Sequence, residues 1–242
     1  VKPIAAICEK LGLPGISPEA ARLATNKSLM RDAFHRADVP IPRYHRFHDF
    51  DSLKKVMDSN LMYPVVLKPT ELAGSRGIFK VDNPSELDRA YKHTTQSAPG
   101  AKEFLVEEFI DGVECSIEVL SFGKKHHVIA LTDKRTTREP YWVETGHVQP
   151  SALDQQTHDL VCQVAEKGLN ALGIMNSASH VEIKISPKKG PKLIEIGARL
   201  GGDYITSDLV PLSTGINVVQ GIIKIALGES PTIECRSQSG GA

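Results

Sequence analysis

The stretch HVEIKISPKKGPKLIEIGAR, residues 180–199, sets one glutamate into each of two apolar runs. In the first run Val181, Ile183 and Ile185 alternate with His180, Glu182 and Lys184, the period-two pattern of a half-buried strand. In the second, Ile194 and Ile196 alternate with Leu193, Glu195 and Gly197. A hairpin turning at Pro187-Lys188-Lys189-Gly190 pairs residues whose numbers sum to 377, which sets Glu182 opposite Glu195. Opposed side chains have Cβ atoms roughly 4.5–5.5 Å apart, and like charges there destabilise a sheet. The repulsion could be offset by a shared proton, by a basic side chain such as Lys184 or Arg199, or by a divalent cation. Two convergent carboxylates on rigid strands suit a hard ion such as magnesium. A solvated sheet face is the bland alternative.

Other residues suit an anionic partner. Lys68 ends the apolar run YPVVLKP, and a small loop of Gly74, Ser75, Arg76 and Gly77 follows it. A lysine leaving a buried strand beside N–H groups freed by glycine can hold polyphosphate. The loop does not match GxxxxGK[ST], which excludes the ordinary P-loop. In LVEEFIDGVE, Glu107 and Glu108 interrupt an apolar strand that Phe109 and Ile110 resume, with Glu114 beyond the turn. Exposed main chain flanked by apolar side chains can bind a purine, and a carboxylate beyond it can accept from ribose hydroxyls. The bland reading is that Glu107 and Glu108 alternate outward. His147 and His180 are further polar candidates. Arg199, four residues after Glu195, could clamp a carboxylate or phosphoryl group or simply neutralise the glutamates. It leads into Gly201-Gly202-Asp203, where backbone could approach a ligand closely.

The elements that must position these residues read as α+β. Helices are expected at 3–11, stopped at Gly12; from Ser17-Pro18 to about Ala37, ended by Pro40 and Pro42; and at about 51–59, 83–96, 154–172 and 217–227. Strands are expected at 44–47, 63–68 and near 78–81, in EFLVEEFI and VECSIEVLSF on either side of the hairpin-type turn Asp111-Gly112, and in HHVIALTDKR. The segment 136–153 reads as a loop over a site. With 29 basic and 29 acidic residues in 242, the formal net charge is zero, which argues against general nucleic-acid binding. No apolar stretch approaches a membrane span, and no signal peptide is legible. Cys8, Cys115, Cys162 and Cys235 have no metal-binding spacing, so reduced thiols and a cytoplasmic location are expected. The chain opens on Val and closes on SQSGGA, so it is expected to be part of a longer polypeptide.

The order of the motifs is more specific than any one of them. Lys27 in TNKSLMR, Lys68 in VLKP, GSRG, EEFI followed by Glu114, HVE and EIGARLGG together resemble the ATP-grasp superfamily, from about Lys2 to Pro231. The chain looks most like its carboxylate–amine ligases, the group that includes L-amino acid ligases, with kinship to biotin carboxylase and carbamoyl phosphate synthase. The resemblance implies two α+β lobes with antiparallel sheets enclosing a nucleotide. Residues 1–40 would be a remnant of a preceding Rossmann-like domain with connecting helices, 41–110 the small lobe and 111–242 the large one.

By the same resemblance, Lys27 and Lys68 would contact ATP phosphates under the Gly74–Gly77 loop. Adenine would lie against Glu107, Glu108, Phe109 and Ile110, with Glu114 on the ribose and His180 nearby. Glu182 and Glu195 would hold Mg2+, with Mn2+ an alternative. Arg199 and His147 would serve the reaction, and residues 136–151 and 199–208, with Tyr141, Trp142 and Tyr204, would shape the substrate pocket. The implied reaction joins a small carboxylic or amino acid to an amine through an acyl phosphate, forming ADP. The implied partners are these small molecules, neither nucleic acid nor membrane, with a homodimer allowed. One departure stands out: many relatives carry asparagine two residues after the second metal-binding glutamate, and this chain has Gly197. Three rival readings follow: a bicarbonate-activating enzyme, a non-catalytic nucleotide-binding module, and a zinc hydrolase built on His147, His180, Glu182 and Glu195.

Overall fold

The computed structural model describes residues 1–59, 61–137 and 144–234; Tyr141, Trp142 and Cys235 lie outside them. Three helices open the chain: α1 (Lys2–Leu11), α2 (Pro18–Leu23) and α3 (Lys27–Arg36). Gly12 ends α1 in the left-handed region, as expected. The single helix expected from Ser17 to Ala37 is instead two. Asn26 adopts an extended conformation and its side chain accepts from the Leu29 N–H at 3.1 Å, so a new helix starts at Lys27, three residues before the apolar stripe of Met30, Ala33 and Phe34. That break places Lys27 on the first turn of α3, with its N–H donated to the Thr70 carbonyl.

The four-stranded sheet comprises β1 (Tyr44–Phe47), β2 (Val65–Pro69), β3 (Phe79–Val81) and β4 (Phe104–Glu108), in the order β1-β4-β2-β3. Between these strands run α4 (Phe50–Ser59) and α5 (Leu87–Gln96). They bury one face in a core that includes Phe47, Leu53, Val65, Leu67, Val81, Ala90, Phe104 and Val106. The pleat turns the alternate residues to the other face. Glu107 lies across from Val66, and Lys68 is two residues further along, so lysine and glutamate are diagonal neighbours.

The five-stranded sheet comprises β5 (Val113–Phe122), β6 (Lys125–Thr136), β7 (Glu144–Val148), β8 (Ser177–Ser186) and β9 (Gly190–Gly197), in the order β7-β6-β5-β8-β9. The expected α+β class with two antiparallel sheets is therefore what the chain forms. Asp111-Gly112 does not close a hairpin, however, because β4 and β5 belong to different sheets. It is the link between them. Part of the segment expected as a loop over 136–153 is β7, paired to β6.

On one face of this sheet Cys115, Ile117, Val119, Val181, Ile183, Leu193 and Ile196 pack beneath α3 and α6 (Gln155–Ala171). Two further helices follow, α7 (Val210–Thr214) and α8 (Val218–Ala226); α7 and a π-helical turn over Ile205–Leu209 were not expected. They cover the end of the other face, against Leu120, Ala130 and Ala178. Among the described residues no single helix is long and apolar enough to cross a membrane.

The register of β8 and β9 differs from expectation near the turn. Pairing starts at Ser186 with Gly190 and runs to Ile183 with Leu193, and then a bulge leaves Ile194 without a partner on β8. Beyond it Glu182 faces Glu195, as expected. The cause is burial. Leu193 and Ile196 both face the core and are fully buried, although strict alternation would send them to opposite faces. Each such side chain contributes roughly 1.5–3 kcal/mol when buried, and one extra residue lets the strand bury both.

Candidate functional site

The polar face of the five-stranded sheet is laid out in rows by its register. Lys134, Glu114 and Lys184 are neighbours in one row, Thr132, Ser116, Glu182 and Glu195 in the next, and Glu118, His180 and Gly197 in a third. The opposed glutamates are neutralised by three cations. Lys27 Nζ lies 3.0 Å from a Glu195 oxygen, while Lys134 Nζ and His180 Nε2 are each 3.6 Å from Glu182 Oε1. The expected neutralisers are elsewhere. Lys184 faces Glu114 at 3.8 Å and sits over the Phe109 ring, and exposed Arg199 donates to the Leu200 carbonyl.

Charges in this face shift one another. Burial opposes ionisation of Glu182, but the His180 contact and the Lys134 charge hold its pKa down to about 2. Burial also works against the His180 imidazolium, yet hydrogen bonds to Glu118 and Glu182 raise it to about 9. For Lys134, burial is outweighed by Glu182, Glu114 and Glu144, and its pKa rises. Glu182 is thus ionised, and its carboxylate and that of Glu195 converge from rigid strands, a donor set that fits a hard divalent cation, with the remaining positions left to substrate oxygens or water.

Glu118 and Lys134 were not singled out from the sequence. Glu118 is buried and binds His180 Nδ1 at 2.5 Å and the Gly201 N–H at 3.2 Å. A Cβ on Gly201 would stand 2.7 Å from Glu118 Oε1, so the glycine allows loop and carboxylate to meet. The alternation Glu114, Ser116, Glu118 in VECSIEVL was the signal for this polar stripe. Lys134 bridges Glu114 at 3.0 Å and Glu144 at 2.6 Å.

A second charged cluster joins the two sheets. Glu107 turns inward and is only 2% exposed, against the outward alternation considered for it. Arg31 grips it with Nε at 2.8 Å and Nη2 at 3.1 Å, and Lys68 Nζ reaches the same carboxylate at 2.6 Å. Arg31 Nη2 also donates to the Ile194 carbonyl at 2.8 Å. Burial pushes the Lys68 ammonium down, and Glu107 offsets this only in part. For Glu107, burial is outweighed by Arg31 and Lys68, so its carboxyl lies below the usual range. With both basic groups charged, two cations share one carboxylate. The cluster carries a spare positive charge suited to an anion.

The remaining expected residues surround these clusters. Lys27 Nζ also donates to the Leu72 carbonyl at 2.8 Å, which ties α3 to the start of the loop carrying Gly74, Ser75, Arg76 and Gly77. That loop is exposed except at Gly77. Glu108 pairs with Arg43 and Lys189, and the N–H groups of Glu108 and Phe109 donate to the Arg43 and Pro64 carbonyls. Two main-chain donors considered for a purine therefore have protein partners. Ile110 is buried in the linker between the sheets. His147 Nε2 faces Glu144 at 3.4 Å and Asp203 at 3.9 Å, while its buried Nδ1 has no partner among the described residues. Tyr204 is 78% exposed. A Cβ on Gly197 would lie 3.4 Å from Arg199 Cγ and Nε, so the arginine side chain covers this position.

Comparison with known proteins identifies the family and the fold. Residues 61–208 match the model of the ATP-grasp domain. The chain is 32% identical over 223 residues to alanine–anticapsin ligase of Bacillus subtilis (strain 168), covering 84% of this chain and 47% of that protein. It superposes on a crystal structure of L-amino acid ligase from Bacillus licheniformis with a TM-score of 0.80 at 30% identity, covering 92% of this chain and 52% of that one. The biotin carboxylase domain of Hydrogenobacter thermophilus 2-oxoglutarate carboxylase, solved with MgADP and bicarbonate, gives 0.82 at 23% identity over 98% of this chain and 52% of that one, a likeness of fold. The chain spans about half the length of these relatives. With two antiparallel sheets meeting at buried lysines and paired carboxylates, and a family match across most of both, this chain belongs to the ATP-grasp family.

Proposed function

We propose that the protein is an ADP-forming carboxylate–amine ligase that binds ATP between its two sheets and activates a small carboxylic or amino acid. The observation that carries the proposal is the contact of Lys27 with Glu195, directly beside the Glu182–Glu195 pair. It joins a phosphate-type lysine to a metal-type carboxylate across the junction of the two sheets. The proposal keeps the division into residues 1–40, 41–110 and 111–242.

In this reading Lys27 and Lys68 hold the ATP phosphates, drawn by the spare charge of the Arg31–Glu107–Lys68 cluster. Glu182 and Glu195 hold Mg2+, which when bound would neutralise phosphate charge during transfer. Phosphoryl transfer depends chiefly on positioning and charge neutralisation, and buried lysines on rigid strands provide both. The substrate carboxylate takes the γ-phosphoryl group, an amine attacks the acyl carbon, and phosphate leaves as the amide forms. Arg199 is exposed and held by one backbone bond, so it can turn to the acyl phosphate. In the same reading His147, whose Nε2 lies beside Glu144 and Asp203, takes the proton the attacking amine loses. Glu114 would meet the ribose, and the linker from Glu108 to Ile110 the base. Similarity to alanine–anticapsin ligase and L-amino acid ligase supports amino acids as substrates.

The test is an ADP-release screen of the full-length protein against paired amino acids and small carboxylates, with bicarbonate as a separate arm. Magnesium-dependent ADP release with an amino-acid pair, lost in Glu182→Gln while the circular dichroism spectrum is kept, is the expected result. Release with bicarbonate alone would favour a carboxylase, and undiminished turnover by the variant would overturn the proposal.

A further inference from the structure

Arg31 contributes charge to the cluster above but is assigned no contact with phosphate, metal or substrate, and its side chain is fully buried where the two sheets meet. Its guanidinium makes two kinds of contact. One is the fork on Glu107 of β4, which also holds Lys68 of β2. The other is the 2.8 Å bond to the carbonyl of Ile194, the bulged residue immediately before Glu195. Lys27, one turn earlier on the same helix, holds Glu195 by its carboxylate. Helix α3 therefore grips the bulged strand twice, once through the peptide before Glu195 and once through the Glu195 side chain.

Stability is a poor account of this arginine. Its Nη1 is buried with no hydrogen-bond partner among the described residues, and an orphaned buried donor works against folding. Well-packed apolar groups of similar volume often stabilise a core as well as a buried ion pair does. A planar, rigid fork, in contrast, fixes two acceptors at one separation, which the single ammonium of a lysine cannot do.

We propose that Arg31 is a positioning residue that sets Lys68 and Glu195 at the spacing needed to act on one nucleotide–metal complex. Resting on the ATP and metal roles proposed above, the inference assigns to Arg31 the coupling between them. Its loss leaves both sites present but misaligned, so it acts on the gain in ATP affinity that magnesium provides.

The experiment measures ATP binding to the full-length protein by calorimetry, with magnesium and with EDTA, for wild type and Arg31→Lys. The lysine keeps the charge and loses the fork. In the variant the magnesium-dependent gain should fall by about tenfold, the order expected for losing a hydrogen bond to a charged group, while binding in EDTA changes little. An unchanged gain, with or without a lower melting temperature, overturns the inference and leaves the ligase reading standing. A wild type that shows no magnesium-dependent ATP binding overturns both. Deletion of Ile194 is the second variant, used if Arg31→Lys does not fold. It lets the ladder run from Leu193 directly to Glu195, keeps Glu195 opposite Glu182, and removes the carbonyl that Arg31 holds. The same loss of gain is expected, and a wild-type gain in the deletion overturns the inference.

Discussion

Replacing Glu107 with glutamine should be far more costly than the loss of one charge at a surface. Glu107 Oε1 accepts from Arg31 Nε, and Oε2 accepts from both Arg31 Nη2 and Lys68 Nζ. Glutamine has one acceptor oxygen and one donor nitrogen, so in either orientation an N–H faces a cationic donor. Removing one partner of a buried ion pair costs about 3–5 kcal/mol, because the other charge is left uncompensated. Lys68 can shed its proton and Arg31 cannot, which sets the loss near the lower end, about 3 kcal/mol. Glu108→Gln, one residue along, is the control. Its partners Arg43 and Lys189 have side chains 59% and 47% exposed, and surface pairs contribute about 0–1 kcal/mol. Urea unfolding followed by circular dichroism measures both. A Glu107→Gln loss below about 1 kcal/mol, or one equal to that of Glu108→Gln, would refute the assignment of a buried, net-positive cluster.

Gly201→Ala should lower stability by about 1–3 kcal/mol through overpacking, because its Cβ meets the anchored Glu118 carboxylate, whereas Gly202→Ala, with nothing within 4 Å among the described residues, should leave the melting temperature unchanged. Equal melting temperatures for the two variants would contradict that contact. Gly197→Asn places a carboxamide beside the glutamate pair and against Arg199; it should tighten Mn2+ binding in calorimetry, and an unchanged affinity would mean that the position does not face the cation. In metal-free protein, His180 is raised to about 9, above its unfolded value of about 6.5. Its contribution to stability is therefore complete below about pH 6.5 and lost as pH rises toward 9. Unfolding free energies measured in EDTA should fall across that window in wild type and much less in His180→Asn; parallel profiles would remove the imidazolium from the balance.

Most of the secondary structure and the opposed glutamates could be read from the sequence because period, caps and turns are local signals. Asn83-Pro84, Asp154 and Gly173 each mark a helix end where the structure has one. What escaped reading depends on tertiary placement. Asp111-Gly112 has hairpin chemistry, but whether flanking strands pair with each other or with different sheets is decided by partners distant in sequence. Arg31 lies in a helix rich in charges, and nothing local separates it from solvated Arg36. Its burial follows from where α3 crosses between the sheets. The residues neutralising the glutamates show the same limit: Lys184 and Arg199 are near in sequence, while Lys27 and Lys134 are near in space.

The bulge at Ile194 falls between these cases, and it links the fold to the site. Its trace in the sequence is that LIEI offers apolar side chains at 193, 194 and 196, one more than a period of two can bury. Two registers satisfy the turn and the core separately: a regular ladder from Gly190, which would set Ile194 against Glu182, and the observed one, which buries Leu193 and Ile196 together. Only the second turns Glu195 to the polar face beside Glu182. Core packing therefore selects the register that assembles the carboxylate pair, and the carbonyl released at the bulge is the one that Arg31 takes. Ile196→Ser should weaken this selection: Leu193 is opposite Ile183 in both registers, whereas Ile196 is buried only in the bulged one, so the change removes about 1.5–3 kcal/mol of burial that favours that register. If Glu182 and Glu195 do form the divalent site, Mn2+ affinity in Ile196→Ser should fall more than in Leu169→Ala, an equally buried change in the same core that leaves the register alone. Equal effects on affinity at matched stability would separate the register from the site.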